Sequence, residues 1–86
     1  MIAKPAPLLT GQCADFHDPT RVLSYTIWPP EPCPVSGESQ CLVRVSDQTG
    51  QTLCDKPIIG IDDLQAVECA CTLIHVLAGL KVERQP

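Results

Sequence analysis

The stretch "GIDDLQAVECACTLIHVLAGL", residues 60–80, decides the fold of this 86-residue chain because it predicts one long helix. Asp62 stands where an N-cap is expected, and Gln65 follows at the spacing of a capping box. Helical geometry places the polar side chains in one wedge of roughly 80°. These are Gln65, Glu68, Thr72, His75 and Gly79. We therefore predict a helix from residue 62 to about residue 80.

The remaining helix surface is apolar over an arc of roughly 240°, whereas a helix on a sheet usually needs a stripe a little over 100° wide. The centre of the arc holds Ala66, Ala70, Leu73, Ile74 and Leu77. One flank holds Cys69, Val76 and Leu80, and the other holds Leu64, Val67, Cys71 and Ala78. Two explanations stay open: residues 1–21 cover a flank, or a flank contacts another copy or a different protein.

Two alternating segments predict strands. In "RVLSYTIW", residues 21–28, Leu23, Tyr25 and Ile27 share one face. In "QCLVRVS", residues 40–46, Cys41, Val43 and Val45 do the same. The turn "DQTG" leads into "QTLCDKPIIG", residues 51–60, which is expected to return as the partner strand. Residues 51–55 are predicted to be strand, and Pro57 makes the second half of the segment an edge or an exit segment.

The remaining segments carry weaker patterns. Residues 1–21 are poorly patterned, with one short edge strand expected near residues 6–10, and residues 29–39 contain four prolines and are expected to form a loop outside any sheet or helix. The chain is therefore predicted to be a single domain of residues 1–86. Its fold class is α+β: a three- or four-stranded antiparallel meander with one C-terminal helix packed on one face.

Composition limits the classes of partner. Six Lys and Arg residues against ten Asp and Glu residues give a net charge of −4, and the basic residues are scattered. Nucleic-acid binding needs concentrated positive charge, so we expect no nucleic-acid partner. A basic protein partner suits the acidic balance better.

The start "MIAKPAPLLTGQCADF" lacks the continuous apolar run of a signal peptide, and no run in the sequence reaches the length of a membrane span. We therefore expect a cytoplasmic protein, no membrane association and reduced cysteines.

No pattern of catalytic or metal-binding residues emerges. The six cysteines form no C-x-x-C pair, and Cys69 and Cys71 would point about 200° apart on a helix, so we expect no metal and no cofactor. Cys71 and His75 are four residues apart, but Cys71 lies on the apolar side, where burial disfavours a thiolate. Asp62 and Asp63 are explained by N-capping and the helix dipole. We therefore expect no catalytic residues and no enzymatic activity.

The candidates for partner binding lie in two regions. Trp28 precedes the rigid segment "PPEPCP" and either forms a recognition surface or plugs the end of the sheet. The second region is the helix flank that holds Cys69, Val76 and Leu80. The partner-binding candidates are Trp28, Glu31, Glu38, Asp62, Asp63, Cys69, Val76 and Leu80.

The segments "SYTIWPPEP", "CLVRV" and "GIDDLQAVECACTLIHVLAGL" resemble a family of small bacterial proteins that contain a domain of unknown function. In that family the motif G-[IV]-D-x-[LF]-Q-A opens a terminal helix after two strands. The resemblance spans roughly residues 22–80 and rests mainly on "GIDDLQA". It implies a meander with a terminal helix and a bacterial or phage source, and it carries no catalytic residues.

These features favour a non-enzymatic protein that binds and occludes a partner. A bacterial immunity protein that neutralises a toxin fits the small size, the acidity and the lack of catalytic groups. A phage-encoded inhibitor of a host defence system would look the same in sequence. The competing class is a small structural or regulatory subunit that forms a homodimer through the helix.

Overall fold

The computed structural model describes residues 6–79, which form one antiparallel β-sheet and one α-helix. This arrangement confirms the predicted α+β class. The strands are β1 (Leu9–Ala14), β2 (Val22–Ile27), β3 (Glu31–Pro32), β4 (Ser39–Asp47) and β5 (Thr52–Gly60), and the helix is α1 (Asp63–Leu77).

Strand β4 is the centre of the sheet. It pairs with β5 along one edge, while β2 and the short β3 share its other edge, and β1 pairs with the outer side of β2. Every pairing is antiparallel. The sheet is therefore a meander in which β1 and β5 are the two outer strands.

The alternating segments bury the residues that the pattern placed inward. Leu23 and Ile27 of β2 are almost completely buried, and so are Cys41, Val43 and Val45 of β4. Tyr25 is half-buried on the same face. Because side chains alternate along a strand, this face forms the core and the other face of the sheet points away from the helix.

Two parts of the prediction differ from the structure. Residues 29–39 are not loop throughout, because Glu31 and Pro32 pair with Gln40 and Ser39 of β4; Pro32 ends this short pairing, where its missing amide hydrogen matters least. The edge strand predicted near residues 6–10 spans Leu9–Ala14 instead. The partner strand predicted within residues 51–60 is confirmed as β5, and Pro57 lies in an edge strand as expected, so the strand extends past residues 51–55 to Gly60.

The helix begins as the sequence predicts. Asp62 is the N-cap and accepts a 2.8 Å hydrogen bond from the Gln65 amide, while the Gln65 side chain accepts a 2.7 Å bond from the Ile61 amide. The helix ends at Leu77, earlier than residue 80, because Gly79 adopts a left-handed conformation with φ of 88°.

Small residues bring the helix close to β4 and β5, the strands it packs against. Ala66, Ala70 and Ala78 are completely buried, and Ile74 is nearly so. Gly60 of β5 has its Cα against the Ala66 backbone nitrogen, so that any β-carbon at residue 60 would overlap the helix backbone. Within residues 6–79, no helix is long and apolar enough to cross a membrane.

Candidate binding surfaces

An open apolar cleft of about 270 Å³ lies between α1 and the β1–β2 half of the sheet. Its lining combines aliphatic and aromatic side chains with two thiols and one imidazole. The lining residues are Leu9, Cys13, Tyr25, Ile27, Cys71, Ile74 and His75. The cleft is therefore formed by two strands on one side and by one flank of the helix on the other.

The cleft exists because the helix is too narrow for the sheet. α1 lies mainly over β4 and β5. The core face of β2 is covered as well, since Leu23 and Ile27 are almost completely buried, so that the outer strand β1 is the part of this face that stays largely exposed. Leu9 consequently keeps 47% of its surface exposed although it shares this face with the buried Ile27, its partner in the β-ladder.

The floor of the cleft depends on a glycine. The Tyr25 ring lies over Gly11 of β1, where an added β-carbon would come within 2.7 Å of the tyrosine oxygen. A larger residue at position 11 would displace the ring. The sequence pattern does not predict this cleft, because Gly11 stands between Leu9 and Cys13 and interrupts the alternation that is typical of a strand with an apolar face.

Burial makes the Cys13 and Cys41 thiols poor nucleophiles. Burial raises the pKa of Cys13, and the nearby Asp15 carboxylate raises it further. Burial also raises the pKa of Cys41, with a smaller effect from Asp63. Both thiols are therefore protonated at neutral pH, which suits packing rather than catalysis.

The helix flank predicted to contact a partner is exposed at the positions that the structure describes. Val76 keeps 54% of its surface exposed, and Cys69 is also exposed. Leu80, the third member of this flank, lies outside the described residues. On the other flank, Ala78 is buried, Val67 and Cys71 are half-buried and Leu64 is exposed. Residues 6–21 therefore leave the flank of Cys69 and Val76 uncovered.

Trp28 lies on the opposite side of the molecule, because it follows Ile27 in β2 and side chains alternate. Its amide donates a 3.0 Å hydrogen bond to the Leu42 carbonyl oxygen, and the Arg44 guanidinium lies 5.9 Å from the centre of its ring. Arg44 also forms a 3.2 Å ion pair with Asp55 of β5. Trp28 is thus part of the outward face of the sheet and cannot form one surface with the cleft.

The four acidic candidates lie at the end of the molecule where α1 begins. Ser39 donates a hydrogen bond to Asp63, and Gln40 donates one of 3.1 Å to Glu31. Glu38 precedes Ser39, and Asp62 precedes Asp63. We call this group the acidic end: Glu31, Glu38, Asp62 and Asp63. The sequence identified these residues, but their proximity follows from the pairing of β3 with β4.

The cysteines do not form a metal site or a disulfide among the described residues. All six are free thiols, and within residues 6–79 no three Cys, His, Asp or Glu side chains are placed to hold a metal ion. Cys33 is 6% exposed in the loop after β3, where hydrogen bonds from the Ser36 side chain and backbone lower its pKa.

Comparison with protein-family models, with curated proteins and with solved structures finds no match to this chain.

Proposed function

We propose that this protein is a non-enzymatic inhibitor that binds another protein and occludes its functional surface, as a bacterial immunity protein does with a toxin. The apolar cleft carries this proposal. In the cleft and on the helix flank that borders it, Leu9 and Leu64 keep 47% and 68% of their surfaces exposed. Apolar surface of this kind, rimmed by polar groups, is typical of sites where proteins bind one another.

Charge supports a basic partner. Residues 6–79 contain nine acidic side chains against three basic ones, Arg21, Arg44 and Lys56. Two of the basic side chains are already engaged, since Arg21 pairs with Asp15 and Arg44 pairs with Asp55. The acidic end therefore presents negative charge that would speed association with a basic surface, and salt would slow this association.

The proposal places the protein in the cytoplasm, because six free thiols are stable in a reducing compartment. A phage-encoded inhibitor of a host defence system would use the same surfaces. The second candidate function is a homodimeric structural or regulatory subunit. The exposed Cys69 and Val76 favour it, because an uncovered helix flank can pair with the same flank of a second copy.

Expression in a bacterial host tests the proposal. Each reading frame next to the gene is expressed alone and together with this protein, and growth is followed. We expect one neighbour to be toxic alone, growth to be restored by co-expression, and the two purified proteins to form a stoichiometric complex. The absence of any rescue, together with a stable homodimer in sedimentation equilibrium, would contradict inhibition and favour the dimeric subunit.

A further inference from the structure

Strand β1 forms one outer edge of the sheet, and half of its backbone groups point away from β2. The amide of Asp15, directly after β1, donates a 2.8 Å hydrogen bond to the Arg21 carbonyl oxygen. In an antiparallel ladder every second residue bonds to the neighbouring strand, so the odd-numbered residues of β1 bond to β2 as Asp15 does. The amides and carbonyls of the alternate residues face the open edge. These residues are Thr10, Gln12 and Ala14. Among the described residues, no strand lies beyond this edge.

The side chains of β1 suit contact with an identical strand. On its core face, Leu9 keeps 47% of its surface exposed and Cys13 is half-buried. On its outward face, Thr10 and Gln12 are polar. None of the six residues of β1 is charged. Two copies, each with a net charge of −4, can therefore meet at β1 without setting like charges against each other.

The Tyr25 side chain extends toward the same edge. Tyr25 of β2 pairs with Gly11 of β1, and its ring lies over this glycine. A β-carbon at residue 11 would come within 2.7 Å of the tyrosine oxygen. Gly11 therefore lets an aromatic ring from the inner strand cross the outer strand, where it can contact a chain that pairs with β1.

We propose that two copies of this chain associate through antiparallel pairing of their β1 strands, centred on Gly11. The open-edge groups of Thr10 then bond to those of Gln12 in the second copy, and those of Gln12 bond to Thr10. On the core face, Leu9 lies opposite Cys13 of the second copy. Because the two glycines face each other, the two Tyr25 rings meet at the two-fold axis. The sheets of the two copies become one continuous sheet.

The side-chain pattern selects this register. A shift by one residue would bring open-edge groups opposite groups that already bond to β2, so the ladder would lose its hydrogen bonds. Centring the pair on Gln12 would restore the bonds but would set Leu9 opposite Asp15. The Asp15 carboxylate is buried and paired with Arg21, and an apolar neighbour offers it no hydrogen bond. Centring on Gly11 sets apolar residues against apolar ones and polar residues against polar ones.

The exposed helix flank of Cys69 and Val76 is a separate surface. Cys69 points about 200° away from Cys71 around the helix axis, and Cys71 lines the cleft beside β1. A two-fold axis at Gly11 runs perpendicular to the sheet, so both helices lie on the same side of the joined sheet and the two clefts adjoin across β1. The flank of Cys69 and Val76 stays outside this contact, and a dimer through that flank would respond to different substitutions.

The only tyrosine of the chain reports the contact. We expect sedimentation equilibrium to give the mass of two chains at high protein concentration. Over the same range the Tyr25 ring signals should shift in proton NMR, whereas the indole signals of Trp28, on the outward face, should stay within a few hundredths of a ppm. A protein that remains monomeric at millimolar concentration would overturn the inference, and so would a dimer that leaves the Tyr25 signals unchanged.

Removal of one edge amide distinguishes strand pairing from other contacts. Gln12→Pro deletes an amide that faces the open edge and keeps the bonds between β1 and β2, since proline is tolerated at such positions of edge strands. Gln12→Ala removes most of the same side chain and keeps the amide. We expect Gln12→Pro to weaken the dimer at least tenfold and Gln12→Ala to change it less than threefold. Equal effects would overturn the inference, as would a dimer that Val76→Lys dissociates.

A cross-link measures the register in a folded protein. In a Cys69→Ser background, which lacks the exposed thiol of α1, Leu9→Cys sets a new thiol opposite Cys13 of the second copy. Thr10→Cys sets the same thiol opposite Gln12. After oxidation with oxidised glutathione, we expect peptide mapping to find a link between residue 9 and Cys13 of two chains. Thr10→Cys should give at least tenfold less covalent dimer. Equal yields, or a link to another cysteine, would contradict pairing centred on Gly11.

The β1 contact goes beyond the proposed inhibitor function and is tested independently of it. If a neighbouring gene product is inhibited but the protein is a monomer, occlusion stands and the β1 contact is wrong. If the link to Cys13 forms but no neighbour is inhibited, the β1 contact stands and the inhibitor function is wrong.

Discussion

The backbone amide of Phe16 donates a 2.8 Å hydrogen bond to the carbonyl oxygen of Ala78, which joins the β1–β2 loop to the C-terminal end of the helix. This bond satisfies a carbonyl group that helix termination would leave without an intrahelical partner. It also fixes the distance between β1 and α1 at one end of the cleft. The C-terminal end of α1 is therefore tied to the β1–β2 loop at this end of the cleft.

Asp15 organises the loop that makes this connection. Its carboxylate accepts hydrogen bonds from the His17 and Asp18 amides and pairs with Arg21 at 2.9 Å, and the residue is buried. We expect Asp15→Asn to lower the midpoint of thermal unfolding, because an amide replaces the ion pair and repeats only part of the acceptor set. Glu68→Gln, which neutralises an exposed carboxylate on α1, should leave the midpoint nearly unchanged; equal shifts would contradict the role of Asp15.

The free energy of unfolding should decrease in acid because two carboxylates, Asp15 and Asp47, become protonated. The His17 amide and then the Arg21 side chain lower the pKa of Asp15, and the Thr49 hydroxyl lowers the pKa of Asp47. Since both folded-state pKa values lie below the unfolded value of about 3.9, the unfolded chain binds more protons in acid. Their contribution is present above about pH 4 and is lost as the pH falls through the folded-state values. Urea unfolding over this range should show a weaker pH dependence for Asp15→Asn than for the wild type.

Gly60 controls how closely the helix approaches β5. A β-carbon at this position would overlap the Ala66 nitrogen and the backbone around it, which cannot rotate away as a side chain can. We expect Gly60→Ala to reduce the free energy of unfolding by about 1 to 3 kcal/mol, as overpacking does in other cores. The neighbouring Ile61→Ala is the control, since Ile61 is 74% exposed. Chemical denaturation compares the two, and a neutral Gly60→Ala would disprove the close packing.

The N-cap of α1 should contribute measurably to stability. Asp62 accepts the Gln65 amide at 2.8 Å, and its replacement leaves that amide without an intramolecular acceptor. We expect Asp62→Ala to reduce the free energy of unfolding by about 1 kcal/mol. Asp62→Ser, which keeps an oxygen acceptor, should recover most of the loss. If Asp62→Ala and Asp62→Ser are equally destabilised in urea titrations, capping is not the cause.

The thiols should react in an order set by exposure. Cys69 is exposed on α1, whereas Cys41 is completely buried and burial raises its pKa. We expect iodoacetamide to modify Cys69 under native conditions and to modify Cys41 only when the protein unfolds. Peptide mass mapping after timed alkylation measures both rates. Modification of Cys41 as fast as Cys69 would show that the core around β4 opens readily.

The helix and the strands with strong local patterns could be predicted from the sequence, whereas the cleft between α1 and the β1–β2 strands could not. Capping by Asp62 and burial of Val43 and Val45 follow from residue type and spacing alone. The cleft depends on which strands the helix covers, and this choice is fixed by the close approach of Gly60 to Ala66 across the fold. Sequence periodicity describes how wide an apolar arc is, but it does not identify the part of the arc that the sheet covers.

The sequence identified most of the acidic candidates but not the contacts that they make in the structure. Asp62, Asp63 and Glu31 were selected for charge, yet each of the three also makes a hydrogen bond that supports the fold. Trp28 was expected beside a loop that lies outside the sheet, but the pairing of Glu31 with Gln40 continues the sheet edge past it. Such pairings between distant segments depend on tertiary contacts and leave no local signal.

The proline in β5 has a consequence for self-assembly. Pro57 and Lys56 stand side by side on an outer strand, one without an amide hydrogen and the other charged. An edge of this kind is a poor template for a further strand, and natural proteins use the same residues to prevent fibril growth. At the opposite edge, the described part of β1 contains neither proline nor charge between Leu9 and Ala14. Ordered aggregation of this protein should therefore start at β1, and Gln12→Lys should suppress this aggregation.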